Sequence, residues 1–135
     1  MDLDGTYLVT GSPDDNTVGS FAGSAHVFDL STGKLLHKFL PPYPDTGVRF
    51  GSDVAVGNGL VLASTYWEEV DGLNRAGAVY VYAADSGDLL ARLVQPDPGY
   101  DDEFGRQVEI GDGKIFVSAP NDFVLRGTVY VFDAV

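Results

Sequence analysis

The sequence predicts an all-β fold made of repeated, antiparallel, four-stranded units. Short segments rich in valine and tyrosine alternate with turns, and no window shows the 3.6-residue period of a capped helix. The same landmarks also return at one spacing. Gly23-Ser24-Ala25-His26-Val27-Phe28 reappears as Gly77-Ala78-Val79-Tyr80-Val81-Tyr82, and we call the distance from Gly23 to Gly77 the repeat interval. A fixed interval of this kind indicates a structural unit that is copied along the chain.

Three further landmarks support the repeat. Phe50-Gly51 returns as Phe104-Gly105, and Asp4-Gly5 returns as Asn58-Gly59 and then as Asp112-Gly113, each time after the same repeat interval. Thr32-Gly33-Lys34-Leu35-Leu36 returns as Ser86-Gly87-Asp88-Leu89-Leu90 at this distance too. The last copy of the valine-tyrosine element, residues 127–132, follows its predecessor by slightly less than the repeat interval, so a loop of the last unit is shorter.

The middle unit, residues 49–95, is the complete one. Its four predicted strands, A to D, cover residues 51–56, 60–64, 78–83 and 89–94. Asn58-Gly59 between the first two is a strong hairpin signal, because both positions of a two-residue turn favour positive φ. Pro96, Pro98 and Gly99 end the last strand, since proline cannot continue a sheet ladder.

The flanking units are predicted to be incomplete. Residues 1–48 hold strands B, C and D, and residues 96–135 hold strands A, B and C, which gives ten strands and about two and a half units in one domain or fragment. Open sheet edges carry unpaired backbone groups. We therefore expect the chain to associate with itself, or a neighbouring chain segment to complete a ring.

Composition excludes several classes of function. The chain has 135 residues and a formal net charge of −12, which repels phosphate backbones, so nucleic acid is not an expected partner. There are no cysteines, and therefore neither disulfides nor thiolate metal sites. The start of the sequence carries no signal-peptide pattern, and no run of about 18 apolar residues predicts insertion into a membrane.

The landmarks resemble the FG-GAP repeat, the blade unit of integrin α-subunit β-propellers and of many bacterial surface proteins. Phe50-Gly51 and Phe104-Gly105 match its opening, and residues 127–132 match its last element. Ser118-Ala119-Pro120 and Gly11-Ser12-Pro13 match its GAP element loosely, whereas Ala63-Ser64-Thr65 departs from it.

The resemblance implies blades of a propeller that closes with roughly six to eight units. It also implies protein or surface ligands, a role in cell adhesion, and an extracellular, cell-surface or periplasmic location. The glycine turn before each Leu-Leu pair also resembles quinoprotein propeller repeats. The Phe-Gly openings and the lack of tryptophan docking positions favour the FG-GAP repeat.

Antiparallel strands reverse direction at each turn, so the loops sort to two ends of the units. The short A–B and C–D turns share one end, and the longer B–C and D–A loops share the other. We call this second end the loop face; it comprises residues 12–22, 41–49, 65–76, 96–103 and 121–126. Eleven of the 20 acidic residues fall on it: Asp14, Asp15, Asp45, Glu68, Glu69, Asp71, Asp97, Asp101, Asp102, Glu103 and Asp122.

Only Arg49, Arg75 and Arg126 oppose these acids on the loop face. Because long loops on a rigid scaffold are where binding residues concentrate, we expect the acidic loop face to recognise a ligand. The acids of one D–A loop are binding candidates: Asp101, Asp102 and Glu103. The alternative is a solvated acidic surface that has no ligand.

The longest B–C loop holds four more candidate binding residues: Tyr66, Trp67, Glu68 and Glu69. An exposed aromatic side chain can anchor a protein partner or stack on a sugar. The alternative for Trp67, the single tryptophan of the chain, is that it folds back over the end of its blade.

Calcium is a weak candidate cofactor. The FG-GAP resemblance implies a calcium loop rich in aspartate between strands A and B, but Asn58-Gly59 and Asp112-Gly113 are turns too tight for six to eight oxygen ligands. The acids of residues 101–103 could hold a weak ion, and so could a set in the first B–C loop: Asp14, Asp15 and Asn16.

No motif specifies a reaction. His26 and His37 are the only histidines, and neither has a cysteine or a second histidine beside it. We therefore expect a binding or assembly module without catalytic activity. Two alternatives remain open: a structural fragment of a larger propeller with no ligand of its own, and an enzyme domain whose site forms in a central channel on assembly.

Overall fold

The computed structural model describes residues 1–43, 47–122 and 126–134. Within these ranges no helix combines the length and the apolar character needed to cross a lipid bilayer. The described strands are β1 (Asp2–Leu3), β2 (Tyr7–Ser12), β3 (Ser24–Asp29), β4 (Leu35–Phe39), β5 (Val54–Gly57), β6 (Leu60–Thr65), β7 (Ala78–Ala83), β8 (Leu89–Leu93), β9 (Val108–Gly111), β10 (Lys114–Ala119) and β11 (Thr128–Asp133).

Each sheet consists of strands that are consecutive in the chain and pair antiparallel. β1 to β4 form the first sheet, β5 to β8 the second, and β9 to β11 the third. The prediction of antiparallel propeller blades in an incomplete ring is confirmed. The hairpin between β5 and β6 is the tight one that the sequence predicts, with φ of 52° at Asn58 and 74° at Gly59. Asp112 and Gly113 repeat this turn between β9 and β10, with φ of 50° and 70°.

The first sheet differs from the prediction in having its own first strand. The two residues of β1 pair with β2, which brings the described strands to eleven rather than ten. A strand of two residues is too short to leave an alternating pattern in the sequence. The pair Asp2↔Val9 corresponds to Ala55↔Leu62 in the second sheet, so this hairpin is displaced by one position from the repeat interval. Gly5 therefore takes the place of Asn58.

The sheets stack on one another through two apolar cores. One core lies between the first and second sheets and includes Val9, Val27 and Tyr80. The other lies between the second and third sheets and includes Leu62 and Ile115. Burial of apolar surface in these layers is the main stabilising contribution to the stack.

Carboxylates also connect the first strands of neighbouring sheets. The Val56 amide donates to Asp2 Oδ2 over 2.9 Å, and the Val108 amide donates to Asp53 Oδ2 over 2.8 Å. An amide on the innermost edge of a sheet has no strand partner there, and each carboxylate satisfies one of them.

Each Phe-Gly dipeptide joins two sheets. Phe50 and Phe104 are fully buried. The Phe50 amide donates to the Ala22 carbonyl of the preceding unit over 2.9 Å, and the Gly51 amide donates to Ser64 O in its own unit over 2.8 Å. Phe104 and Gly105 repeat these bonds in the next unit, at 2.9 Å each.

Gly23 contacts Phe50, and Gly77 contacts Phe104. The φ values of the two glycines are 87° and 91°, a region that glycine adopts without steric cost. A Cβ atom at Gly23 would stand 2.1 Å from the Phe50 carbonyl oxygen, and one at Gly77 would stand 2.0 Å from the Phe104 carbonyl oxygen. The joint between two sheets is therefore a glycine of one unit in contact with the Phe-Gly of the next.

Candidate functional site

Backbone hydrogen bonds bring the loops of the loop face together. The Arg49 amide donates to Phe21 O over 3.0 Å, and the Glu103 amide donates to Arg75 O over 3.0 Å. All four residues have positive φ, between 53° and 56°. Each D–A connection is thereby fixed against the B–C loop of the unit before it, and side chains from the two loops lie next to each other.

Trp67 contacts two guanidinium groups. Arg49 Cζ is 4.6 Å and Arg75 Cζ is 5.1 Å from the centre of its ring system. Tyr66 meets Trp67 edge to face at 6.0 Å, and Arg106 Cζ lies 4.7 Å from the Tyr66 ring. Arg49 also lies 5.5 Å from the exposed ring of Phe21. We call these six residues the aromatic–arginine cluster: Phe21, Arg49, Tyr66, Trp67, Arg75 and Arg106.

The cluster is held by cation–π attraction, which favours a guanidinium over the face of an indole ring. Trp67 is half-buried, so part of its side chain remains in contact with solvent. Among the described residues, Trp67 Nε1 and Arg49 Nε have no hydrogen-bond partner. Both nitrogens are buried, so the part of the cluster that a protein or glycan could contact is its partly exposed ring surface.

Glu68 is engaged by side chains of its own sheet. It is buried, and Tyr80 Oη donates to its carboxylate at 2.9 Å. Arg92 donates to the same carboxylate through Nε at 3.0 Å and Nη2 at 2.5 Å. Burial, and then the negative charge of Glu68, raise the pKa of the Tyr80 phenol well above its ordinary value. Glu68 therefore connects β7 and β8 to the B–C loop.

The other two units have a carboxylate in the same role. Asp15 accepts a bond from Ser24 Oγ at 2.7 Å and pairs with Lys38 Nζ at 3.1 Å. Asp122 accepts a bond from Tyr130 Oη at 2.5 Å. Hydrogen bonds from Thr17 and then Ser24 lower the pKa of Asp15, whereas burial and the bond to Asp122 raise the pKa of Tyr130 to about 12.

Sequence reasoning missed this repeated carboxylate. The three acids stand eight, nine and five residues before the glycines of their units, so they share no fixed spacing. Their common feature is structural: the backbone carbonyl of each accepts a 3.0 Å bond from Gly23, Gly77 or Gly127. The available sequence signal was a hydroxyl-bearing residue within the first three positions of strand C, at Ser24, Tyr80 or Tyr130.

The acids of the 96–103 loop do not form one exposed patch. Asp102 is buried and accepts bonds from Gln95 Nε2 and from the Gly99 amide, the latter at 2.6 Å. Glu103 is buried between Arg75 and Arg106, with Arg106 at 3.0 Å. Asp101 is partly exposed and lies 3.4 Å from Arg75 Nε. These carboxylates fix the D–A loop and offset the charge of the arginines.

The weak ion candidates of the first B–C loop are also engaged. Asp14 pairs with Arg49 at 3.6 Å, and Asn16 Oδ1 accepts a 2.7 Å bond from the Phe21 amide. Across the described ranges, no three acidic or histidine side chains converge on a point where a metal could bind. Asp45 lies outside the described residues. Glu69 is exposed beside the aromatic–arginine cluster.

Two clefts adjoin these features. A cleft of about 450 Å³ on the inner side of the sheets is lined by Asp53, Glu109 and Phe116 among others. It lies where a central channel would run, but Asp2 and Asp53 in its wall already accept backbone hydrogen bonds. A second cleft, of about 340 Å³, is lined by Tyr43, Val48, Glu68, Glu69 and Arg92.

The buried tyrosines make alkaline pH a test of the Glu68 network. Burial raises the pKa values of Tyr80 and Tyr82, and the pKa of Tyr130 is about 12. A raised folded-state pKa contributes stability that is present below the unfolded value of about 10 and is lost as pH rises above it. We expect three of the seven tyrosines to ionise late, and the free energy of unfolding to fall above pH 10.

Absorbance at 295 nm during an alkaline titration measures this directly, and urea unfolding at pH 8 and pH 11 measures the stability change. Tyr80→Phe should remove one late-ionising group, whereas Tyr100→Phe, at an exposed position, should remove an ordinary one. Simultaneous ionisation of all seven tyrosines in the folded protein near pH 10 would contradict the described network.

Comparison with known proteins supports the fold but does not indicate a function. No protein-family model matches the chain, and no curated protein matches it. Among solved structures, a europium-containing methanol dehydrogenase is similar with a TM-score of 0.56 and 16% sequence identity. The similarity covers 98% of this chain and 22% of that one, so the chain spans about a fifth of the enzyme's length. At this identity the likeness shows a shared propeller fold alone.

Proposed function

We propose that the chain is a non-catalytic binding module that recognises a protein partner through its loop face. The aromatic–arginine cluster is the observation that carries this proposal. Tryptophan, tyrosine and arginine are the residues that most often dominate the binding energy of protein interfaces. Here they lie in contact with one another at one end of a rigid stack of sheets, which lowers the entropic cost of ordering them on binding.

Charge around the cluster indicates the character of the partner. Exposed carboxylates of Asp14, Glu69 and Asp71 border it, and the chain has a net charge of −12. Complementary charge increases the rate of association and suppresses wrong partners. The proposed partner therefore has a basic rim around an apolar centre.

The acidic residues support binding over catalysis. General acid–base chemistry needs carboxylates that reach a substrate, whereas Glu68, Asp102 and Glu103 are buried in hydrogen bonds of the scaffold. His37 is engaged as well, with Nε2 2.9 Å from the Asp85 carbonyl oxygen.

The resemblance to FG-GAP repeats is part of this proposed function. The structural role of Phe50-Gly51 and Phe104-Gly105 supports it, because a dipeptide that joins neighbouring blades has a reason to recur in every unit. An adhesive role at a cell surface, or in another extracytoplasmic location, is the setting that we propose with it. Calcium is not required for the proposed contact.

A second candidate function is a structural segment of a larger propeller that has no ligand on its loop face. The exposed apolar face of the third sheet favours it, since Val129 and Val131 are open to solvent. The two candidates differ in the surface they use, so variants of the loop face distinguish them.

The test uses Trp67 as both contact and reporter. Arrays of proteins and glycans would supply ligands, and Trp67 fluorescence would measure their affinity for the wild-type chain. Trp67→Ala should weaken binding roughly 30-fold or more, the effect of losing one hot-spot residue worth about 2 kcal/mol. Surface plasmon resonance would compare the variants.

Leu90→Ala is the matched control, because Leu90 is an exposed apolar residue at the opposite end of the second sheet. Its affinity should equal that of the wild type, and both variants should keep the wild-type circular dichroism spectrum. Unchanged affinity of Trp67→Ala for every ligand would favour the structural segment.

A further inference from the structure

The outward face of the third sheet is apolar and uncovered. Val129 is 62%, Val131 55% and Phe116 37% exposed, and all three lie on the side that points away from the second sheet. Side chains of this size are normally buried, and a contiguous apolar patch on a soluble surface indicates a contact site.

The equivalent positions in the other two sheets are buried. Strand pairing places Phe116 opposite Val131 as it places Leu62 opposite Val81, and both residues of the second pair are buried. Val9 opposite Val27 is the fully buried counterpart in the first sheet. In both sheets the cover is the following unit, and its buried Phe50 or Phe104 belongs to the same core.

Gly127 of the third sheet corresponds to Gly23 and Gly77, and its backbone conformation is similar to theirs. Gly127 has φ of 76°, close to the values at Gly23 and Gly77, and its amide makes the same 3.0 Å bond to the acid of its B–C loop. At Gly23 and Gly77 an added Cβ would meet the carbonyl oxygen of a phenylalanine. At Gly127 the three nearest atoms of the described residues would all belong to Pro120, the nearest at 3.1 Å.

We propose that this face binds a blade unit that lies outside the present sequence and brings its own Phe-Gly dipeptide. The phenylalanine would lie against Gly127, and its amide would donate to the Arg126 carbonyl, as Phe50 donates to Ala22. Val129, Val131 and Phe116 would be covered by the apolar side of the same unit. This surface is separate from the loop face.

The same geometry excludes a second copy of this chain as the natural occupant. The sequence contains two Phe-Gly dipeptides, and the phenylalanine of each is fully buried in a joint of its own molecule. A second copy could offer the partly exposed apolar side of its first sheet, where Leu3 and Leu36 lie, but no free Phe-Gly dipeptide for Gly127. The partner unit therefore completes the joint in a way that self-association does not.

The test titrates the isotope-labelled full chain with a synthetic peptide of residues 47–52, which contains Arg49-Phe50-Gly51. We expect saturable amide shifts at Gly127, Val129 and Val131 in nuclear magnetic resonance spectra. The matched peptide with the substitution Phe50→Ala should bind at least about tenfold more weakly, because it lacks the ring that the joint buries. The Val129→Asp chain should lose the response to the first peptide.

Two results would overturn the proposal. One is equal shifts with both peptides, or none at millimolar concentration, in a chain whose other amide signals show that it is folded. The other is a closed oligomer of the wild-type chain in sedimentation experiments that Val129→Asp converts to a monomer, which would assign the face to a second copy. Neither result depends on the aromatic–arginine cluster, so the function proposed for the loop face stands or fails separately.

Discussion

Replacing Phe104 with alanine is expected to lower the free energy of unfolding by roughly 3–5 kcal/mol, the range for truncating a buried phenylalanine. Phe104 is fully buried between the second and third sheets and packs against the rings of Tyr130 and Phe132 at 5.6 and 6.2 Å. The backbone on both sides of it is fixed by bonds to Ala76 and Ser118, so the joint cannot collapse to fill the cavity.

Urea denaturation followed by circular dichroism measures the loss. Tyr100→Ala is the control, because it removes an aromatic ring that is 63% exposed in the same D–A loop. Its effect should stay within about 0.5 kcal/mol, as for other surface substitutions. Phe50→Ala should match Phe104→Ala, since the two residues hold equivalent joints. Equal stabilities of Phe104→Ala and Tyr100→Ala would contradict the role of the dipeptide.

Gly77→Ala is expected to be strongly destabilising although it adds a single methyl group. The added Cβ would stand 2.0 Å from the Phe104 carbonyl oxygen, and a positive φ of 91° adds backbone strain to any residue other than glycine. The second and third sheets must separate to relieve the overlap, which disrupts the core between them. We therefore expect the free energy of unfolding to fall by roughly 3 kcal/mol or more.

Substitutions at two other glycines distinguish the effect of steric overlap from the effect of backbone strain. Gly72 has φ of 79° and nothing within 4 Å of an added Cβ, so Gly72→Ala reports the strain alone, at about 1 kcal/mol. Gly127→Ala tests the third unit, where the nearest atom to an added Cβ is the Pro120 carbonyl oxygen at 3.1 Å, and its effect should lie between those of Gly72→Ala and Gly77→Ala. Thermal unfolding of the three variants gives the order, and a Gly77→Ala protein as stable as Gly72→Ala would disprove the tight joint.

The fold could be predicted because the same local signals recur in each repeat. The hairpin at Asn58-Gly59 and the valine-tyrosine strand are local signals, and each occurs again at the same distance. β1 escaped prediction because two residues carry no periodicity, and only the pairing Asp2↔Val9 reveals it. The displacement of the first hairpin by one position is likewise visible only in the strand register.

The candidate site was predictable in its location but not in its chemistry. Tyr66 and Trp67 were expected on the loop face, but whether Glu68 points outward depends on Arg92, which lies far along the chain on another strand. Arg49 and Arg75 were noted only as opposing charges. Their contact with Trp67 depends on loops that meet only after the sheets stack.

The joint between sheets has a consequence for how such a chain can grow and shrink in evolution. Every joint takes its glycine from one repeat and its Phe-Gly from the next, so the packed module is displaced by about half a repeat from the module that the sequence displays. Duplication or deletion of one whole repeat interval with matching breakpoints restores a complete joint wherever the breakpoints fall. An exchange whose breakpoints do not match in the two repeats can leave a glycine without its phenylalanine, and selection would then act on where the copied segment begins and ends.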